Sequence, residues 1–583
     1  MAERTKKLIN APEDVIEEMI DGLVGAYPAL LVREGPTGRA VVARDGPRDG
    51  KVGIVIGGGS GHEPAFAGFV GRGLADAAAV GNVFASPSPA QVADAARVAD
   101  GGAGVLFLYG NYAGDVMNFD MATEDLAAAG IDARTVLVTD DVASALEAAD
   151  RRGIAGGFFV FKIAGAAAEE GLSLEEVEHL SRRANAAVRS MGVALSPCSL
   201  PQTRRANFAI GADEMEVGMG IHGEPGVERT ALETADAVAE RLAGPVLDEL
   251  ALTAGDAVAV LVNGLGSTSQ MELLILHRRV RQLLDARGCR IHASWVGEYV
   301  TSLEMAGASI SILKLDADLQ RLLDRPCLTP ALRVGEVPQA PAETRRRNPL
   351  PLGGQIAVRT DGSEPREGGG RVDPACFRRM LLAARDAMAA HEEELGRLDG
   401  AIGDGDHGVT MRTGWDAAAA AIGPLDDPTI TELCEAVAEA FLGAVGASAG
   451  PLYASGFREA GRAVAHRRDL DGPSLATWIA GVADGIERRG EAKPGDKTML
   501  DAWRPAAEAA RRSDRDEAEC LEAAARAAER GAASTTDMRA AKGRAAKLGE
   551  RVLGHPDPGA MSAAILIRAM ASVDLARDKA AIT

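Results

Sequence analysis

The sequence predicts an α/β first half and an all-helical second half within one chain of 583 residues. Three observations predict it. Short runs rich in Val, Ile, Leu and Phe alternate with Ala-rich helical stretches over the first half, the pattern of strands joined by crossover helices. Between Val334 and Gly370 the composition shifts to Pro, Gly and charge with little apolar periodicity, as in a linker. Past that point, Ala-rich helical runs separated by Gly, Pro and Asp-Pro breaks continue to the end, about eight helices in all. The predicted division is a domain at 1–333, a linker at 334–371 and a domain at 372–583. Such a length is more than a single hydrophobic core sustains.

The opening helix lies in 13–32, with Val15, Met19, Leu23 and Val24 at helical spacing and an end near Pro28. Strands are predicted at Val52–Ile56, Val105–Leu108, Thr135–Thr139, Gly157–Phe161, Val258–Val262 and Ser309–Leu315. The first runs into Gly57-Gly-Gly-Ser-Gly-His-Glu-Pro64, where a ligand is expected beyond a strand's carboxyl end. That loop is neither a Walker A loop nor a GxGxxG fingerprint, and His62 taken alone reads as a structural histidine. The second runs into Tyr109-Gly-Asn-Tyr-Ala-Gly-Asp-Val-Met-Asn-Phe119. There Asp115 is either a proton acceptor or a helix N-cap, and Asn111 and Asn118 can orient hydroxyls. Gly218-Met-Gly-Ile-His-Gly-Glu-Pro-Gly226 sets His222 among glycines that leave room for a ligand on the ring. As base, metal ligand or nucleophile, His222 stays open at this point. The loop Asn263–Ser269 could bind phosphate, but a structural turn is the favoured reading, and Met271–Leu284 reads as an amphipathic packing helix carrying Leu273, Leu274 and Leu276.

In the second half, Leu398-Asp-Gly-Ala-Ile-Gly-Asp-Gly-Asp-His-Gly408 gathers Asp399, Asp404 and Asp406 without an intervening Lys or Arg. Oxygen-only ligands suit Mg²⁺ or Ca²⁺ better than zinc, and the alternative is a solvated Asp-Gly turn. Gly446–Pro451 precedes a helix, as an anion-binding N-terminus would. Lys493–Asp501 and Gly554–Gly559 are turn-rich loops that read as helix caps or as parts of a site, with Arg544 and Arg551 near the latter.

With 46% hydrophobic and 25% charged residues the composition is that of an ordinary soluble protein. No run of eighteen apolar residues occurs and the start lacks an apolar h-region, so a cytoplasmic protein with no membrane partner is expected. Against 63 basic side chains stand 84 acidic ones, a net charge of −21 that argues against nucleic acid as a partner. Binding an anion then requires a metal and backbone N–H groups locally. Six cysteines without a CxxC pair are expected as reduced core thiols.

Taken in order, GGGSGHEP, GNYAGDVMNF, GMGIHGEPG, LDGAIGDGDHG, GDKTMLDA and GHPDPG resemble the ATP-dependent dihydroxyacetone kinase family over nearly the whole chain. The resemblance implies two α/β subdomains that bind a ketose, then an antiparallel eight-helix barrel that binds ATP, in a homodimer. It implies that His222 holds the ketone as a covalent hemiaminal, with Gly59, Ser60, Gly61, His62 and Asp115 binding and deprotonating the hydroxyl. Asp399, Asp404 and Asp406 would hold two Mg²⁺. His407, Gly408, Val409, Thr410, Ser448, Ala449, Gly490, Met499, Arg544, Asp557, Pro558 and Gly559 would line the nucleotide. Two departures stand out: Gly110 where relatives carry a lysine, losing a cation and opening volume beside the substrate, and Ala447 and Ala449 in the phosphate loop.

A kinase for dihydroxyacetone or erythrulose is therefore expected, with Gly110 favouring the tetrose. The alternatives are an FAD-AMP lyase forming cyclic FMN and a non-catalytic ligand-binding regulator. Against the regulator stands the presence of His62, Asp115, His222 and all three acids on one chain.

Overall fold

A computed structural model describes residues 5–337, 372–513 and 516–575, apart from the side chains of Arg544 and Lys547. The chain divides into two compact units, Met1–Leu352 and Gly353–Thr583. Residues 338–371, most of the expected linker, lie outside the described residues. Val334 itself pairs with Cys327 in a two-stranded ribbon, so strand structure of the first unit reaches the position where the linker was expected to start.

The first unit holds two six-stranded sheets. Across the first, the strand order is Leu31–Glu34, Ala40–Ala43, Ala77–Val83, Gly53–Ser60, Val105–Gly110, Ala133–Val138. Its last four strands are parallel, and every residue of Gly53–Ser60 is buried, as a central parallel strand must be. The second sheet is mostly antiparallel, ordered Arg290–Gly297, Ala257–Gly264, Gly307–Leu315, Val188–Ala194, Glu214–Val217, Glu228–Ala231. Five of the six predicted strands fall on these elements, with Val52 and Thr139 one residue outside theirs. The sixth does not: Gly157–Phe161 begins the helix Gly157–Glu169. Phe158, Phe159 and Phe161 imitate a buried strand, but the helix is apolar on every side because it joins a core fed by both sheets, including Ile54, Ile56, Ala259 and Leu313. The opening helix is Val15–Ala26, and its buried residues are Ile16 and Ile20. Met271–Leu284 falls in the helix Gln270–Ala286, which buries Leu273 and Leu276 but leaves Leu274 exposed.

The second unit is all-helical, with nine α-helices among the described residues rather than eight. The extra one is the short helix Glu392–Ile402, which leads into His407–Ile422. Each later helix packs on its successor, and the last, Pro558–Ala571, packs on the first, Pro374–Ala390. Their shared core includes Trp415, Phe441, Tyr453, Trp478 and Trp503. All six cysteines are free and buried. No helix among the described residues is long and apolar enough to cross a membrane.

Inside the helix Gly157–Glu169, otherwise apolar up to its last residue, Lys162 is completely buried and donates to the carbonyl of Leu322 at 3.1 Å. Burial lowers its pKa to about 8, against 10.5 for a free lysine. The unfolded chain therefore keeps a proton that the folded chain releases, so stability rises as the pH climbs through that window. Relative to Lys162→Met, the parent should gain on the order of 1–3 kcal/mol between about pH 7.5 and 10.5, with the variant at least as stable as the parent near neutrality. Denaturant unfolding across that pH range, with parallel curves for the two proteins as the contrary result, checks this.

Candidate active site

Four rings from four segments of the first unit close on one another. His62 follows Gly53–Ser60 of the first sheet and His222 follows Glu214–Val217 of the second, yet their ring centroids lie 4.9 Å apart. Phe84 stacks on His62 at 5.1 Å and meets His222 edge-on at 5.2 Å. Tyr112 meets His222 edge-on at 4.8 Å.

The two histidines are built for different tasks. His62 Nδ1 donates to the carbonyl of Thr301 at 2.8 Å, and the loop is pinned again where Leu303 N–H donates to Gly61 O at 2.7 Å. Nε2 is left as a pure acceptor, buried and without a hydrogen-bond partner. Burial, then the neighbouring His222, lowers the His62 pKa to about 3, which disfavours a charge on the ring. His222 instead donates from Nδ1 to Glu224 Oε1 at 2.9 Å, and its backbone N–H donates to Glu224 Oε2 at 3.0 Å. Since a carboxylate oxygen facing the ring accepts, Nδ1 is the donor in this bond. Glu224 is buried with Arg152 Nη1 at 4.0 Å, and Arg152 is held in turn by Asp141 at 2.8 Å.

This packing changes the reason for the surrounding glycines. A Cβ at Gly220 would stand 2.1 Å from Glu224 Oε2, so the missing side chain makes room for the carboxylate and not for a ligand on the ring. Gly110 is corrected likewise. Its Cβ would stand 2.9 Å from the Tyr112 ring, so the volume opened there is filled by Tyr112, whose hydroxyl donates to Gly153 O at 3.1 Å.

Gly59 and Ser60 end their strand instead of lying in a loop, and the Ser60 hydroxyl donates to Gly81 O at 2.8 Å. The Gly61 N–H donates to both oxygens of Glu63, at 3.1 and 3.0 Å. Asp115 is not an N-cap: Tyr112 takes that position, and Asp115 lies buried in the first turn of Ala113–Ala128, where a carboxylate favours the helix dipole. Asn111 spends its amide on the carbonyls of Ala149 and Arg151, at 3.0 and 2.9 Å, which makes it structural. Asn263 likewise binds Val300 O at 2.7 Å, as the turn reading expected. Sequence reasoning did not assign Phe84, Tyr112, Arg152, Thr301 or Glu224. Of these only Glu224 carried a usable signal, two residues past the histidine in a glycine-rich turn.

In the second unit, Asp399 closes the helix Glu392–Ile402 while Asp404 and Asp406 form the turn into His407–Ile422. One oxygen from each lies within 4.8 Å of the others. Asp399 Oδ2 accepts N–H groups of Gly405, Asp406 and His407 at 2.9, 3.0 and 3.3 Å. Its Oδ1 points at Gly403, where a Cβ would stand 2.2 Å away, so glycine keeps that oxygen open. Three converging carboxylates with one oxygen kept clear fit a hard divalent cation such as Mg²⁺.

The residues expected around the nucleotide fall mainly at helix starts. His407 opens His407–Ile422, Ser448 is the N-cap of Ala449–Ala463, Met499 that of Leu500–Arg511, and Asp557 that of Pro558–Ala571. These are the starts of alternate helices, where backbone N–H groups lack partners within their own helix. Gly408, Val409 and Thr410 continue the first of these turns, Pro558 and Gly559 the last, and Gly490 ends the helix that precedes Met499. Gly559 approaches Met499 N within 3.5 Å of its would-be Cβ, and His407 Nε2 meets Ser562 Oγ at 2.8 Å. Desolvation, with Asp399 and Asp501 close by, raises the Asp557 pKa to about 7. The Arg544 side chain lies outside the described residues.

Comparison with known proteins agrees with this division. Residues 21–331 match the Dak1 domain and residues 401–572 the DAK2 domain. A D-erythrulose kinase of Mycolicibacterium smegmatis is 41% identical over 97% of this chain and 98% of its own. An L-erythrulose kinase of Pectobacterium atrosepticum is 39% identical over 97% of this chain and 96% of its own. Among solved structures, the dihydroxyacetone kinase from C. freundii in complex with AMP-PNP and Mg²⁺ is similar with a TM-score of 0.54 and 30% identity, covering 98% of this chain and 100% of that one. With both domains matched in order and relatives aligned from end to end, the chain belongs to the dihydroxyacetone kinase family.

Proposed function

We propose that this ATP-dependent ketose kinase phosphorylates a terminal hydroxyl of a four-carbon ketose, erythrulose, held on His222 as a hemiaminal. The observation that carries the reading is the His222–Glu224 pair beside a permanently neutral His62. Relatives named for D- and L-erythrulose support the tetrose over dihydroxyacetone.

In this reading Nε2 of His222 attacks the ketone carbon and the carbonyl π pair moves onto oxygen, which takes up a proton. Nδ1 passes its own proton toward Glu224, leaving the alkylated ring neutral. His62 Nε2 accepts the proton-bearing side of a substrate hydroxyl and fixes its direction. Asp115, buried at the start of its helix, is the group proposed to remove the proton from the attacking hydroxyl. Asp399, Asp404 and Asp406 would hold two Mg²⁺, which neutralise charge on the triphosphate. Ser448, Ala449, His407–Thr410, Gly490, Met499 and Asp557–Gly559 would receive the nucleotide, with backbone N–H groups compensating for Ala447 and Ala449. The ring of packed helices supports the eight-helix barrel reading, and family membership supports a homodimer.

Three outcomes follow from this geometry. Asp404→Asn should lower kcat by at least about a hundredfold while the first unit still captures the ketose, because the ligand set loses charge where the triphosphate needs it. Near-normal turnover at millimolar Mg²⁺ is the contrary result.

Soaked crystals of the parent should show continuous density from His222 Nε2 to the ketose, and Glu224→Gln should lose it, with kcat/KM down roughly 10²–10⁴-fold as the ring loses its proton acceptor and its orientation. A ligand held only by hydrogen bonds in the parent would refute covalency.

Gly110→Lys should push Tyr112 onto His222 and cost erythrulose about 10–200-fold more in kcat/KM than dihydroxyacetone, the scale on which a pocket discriminates one small group. Equal losses for the two ketoses in a coupled ADP-release assay would show that the Tyr112 wall does not set substrate length.

A further inference from the structure

Lys497 lies in the loop between the helices Gly472–Gly490 and Leu500–Arg511, where a lysine could serve as a phosphate-binding cation. Its surroundings say otherwise. The side chain is 1% exposed, and its ammonium donates to three backbone carbonyls: Thr535 at 2.7 Å, Val552 at 2.9 Å and His555 at 2.6 Å. A lysine has three N–H donors, so all are spent and none is left for a phosphate.

The three carbonyls belong to places that must be held together for Asp557 to stand where it does. Thr535 follows the helix Glu517–Ser534, and its Oγ1 accepts the Asp557 N–H at 2.8 Å. Val552 and His555 flank the turn into Asp557-Pro-Gly559, and Asp557 then caps the last helix through Ala560 N–H at 2.7 Å. On its own side, Lys497 sits at φ +62°, in a loop fixed by Asp501, which accepts the N–H groups of Gly495 and Thr498 at 2.5 and 2.8 Å. The ammonium is thus the joint between two segments that meet again where Met499 lies against Gly559, and the second of them brings Asp557 near Asp399.

We propose that Lys497 is a positioning residue for the nucleotide: its ammonium clasps the segment 535–557 to the loop 495–499 and so sets the Asp557–Gly559 turn, without touching ATP. This rests on the nucleotide reading of the second unit given above. The test is direct binding of a non-hydrolysable ATP analogue with Mg²⁺ to the full-length protein by calorimetry, beside steady-state kinetics. Lys497→Met keeps length and bulk but has no donor, and should raise both the dissociation constant and the KM for ATP by roughly tenfold or more, leaving the ketose KM within about twofold. Unchanged nucleotide affinity in a folded Lys497→Met protein would overturn the proposal, as would equal rises in both KM values. Should circular dichroism show that variant unfolded, Thr535→Val decides: it removes the acceptor for Asp557 N–H, together with the hydroxyl's own bond to Ala532 O at 2.6 Å, a raised nucleotide dissociation constant supports the clasp, and an unchanged one refutes it. Because binding is read without turnover, a protein inactive on every ketose would sink the kinase reading and leave this comparison intact.

Discussion

Both candidate sites depend on burying carboxylates, and a buried carboxylate is stable only where N–H groups surround it. Glu224 receives the backbone and ring N–H of His222, Asp140 the N–H groups of Ile154 and Gly156, and Glu216 that of Gly226. In the second unit Asp399 receives three, Asp501 two and Asp557 one. Each pairing consumes donors that would otherwise serve turns or helix ends, so the acid and its loop fix one another. The glycines of these segments follow from the same constraint, since a backbone that must wrap an oxygen this closely has no room for a Cβ, as at Gly220 and Gly403.

Much of this was legible in the sequence, and what was not has physical causes. Strands such as Val105–Gly110 announced themselves because a parallel strand buried on both faces is a short continuous apolar run. Gly157–Phe161 gave the same signal for another reason, a helix buried on all sides, and periodicity has no power where no side is polar. The three metal-type acids were visible because they lie within eight residues, whereas Phe84 reaches His62 through the pairing of neighbouring strands and Thr301 reaches it from beyond the second sheet. Asn111 failed as a site residue because a polar side chain beside a motif is as easily spent on a neighbouring carbonyl, and here it is spent on two.

The contrast between the two histidines shows how one side chain is given two roles by its partner. A carbonyl partner with full burial leaves His62 neutral and weakly basic, an acceptor that holds direction. A carboxylate partner takes the Nδ1 proton's side of His222 and leaves Nε2 electron-rich. Placed 4.9 Å from His62, the His222 ring adds to burial in disfavouring a charge on His62.

A protein of net charge −21 cannot draw a triphosphate by its overall field, so attraction has to be local. In the nucleotide reading proposed above, the starts of four alternate helices of the all-helical unit would supply it, each presenting N–H groups without a partner inside its own helix. Dipoles so arranged need no mobile side chain, which is why the buried lysine of the Lys493–Asp501 loop can be used for something else. A helix start acts as an anion site only as well as it is aimed, and aiming the last of the four falls to a loop of more than twenty residues between Ser534 and Pro558. One ammonium on three carbonyls is an economical way to hold such a loop, since it replaces three separate tethers with a single buried point.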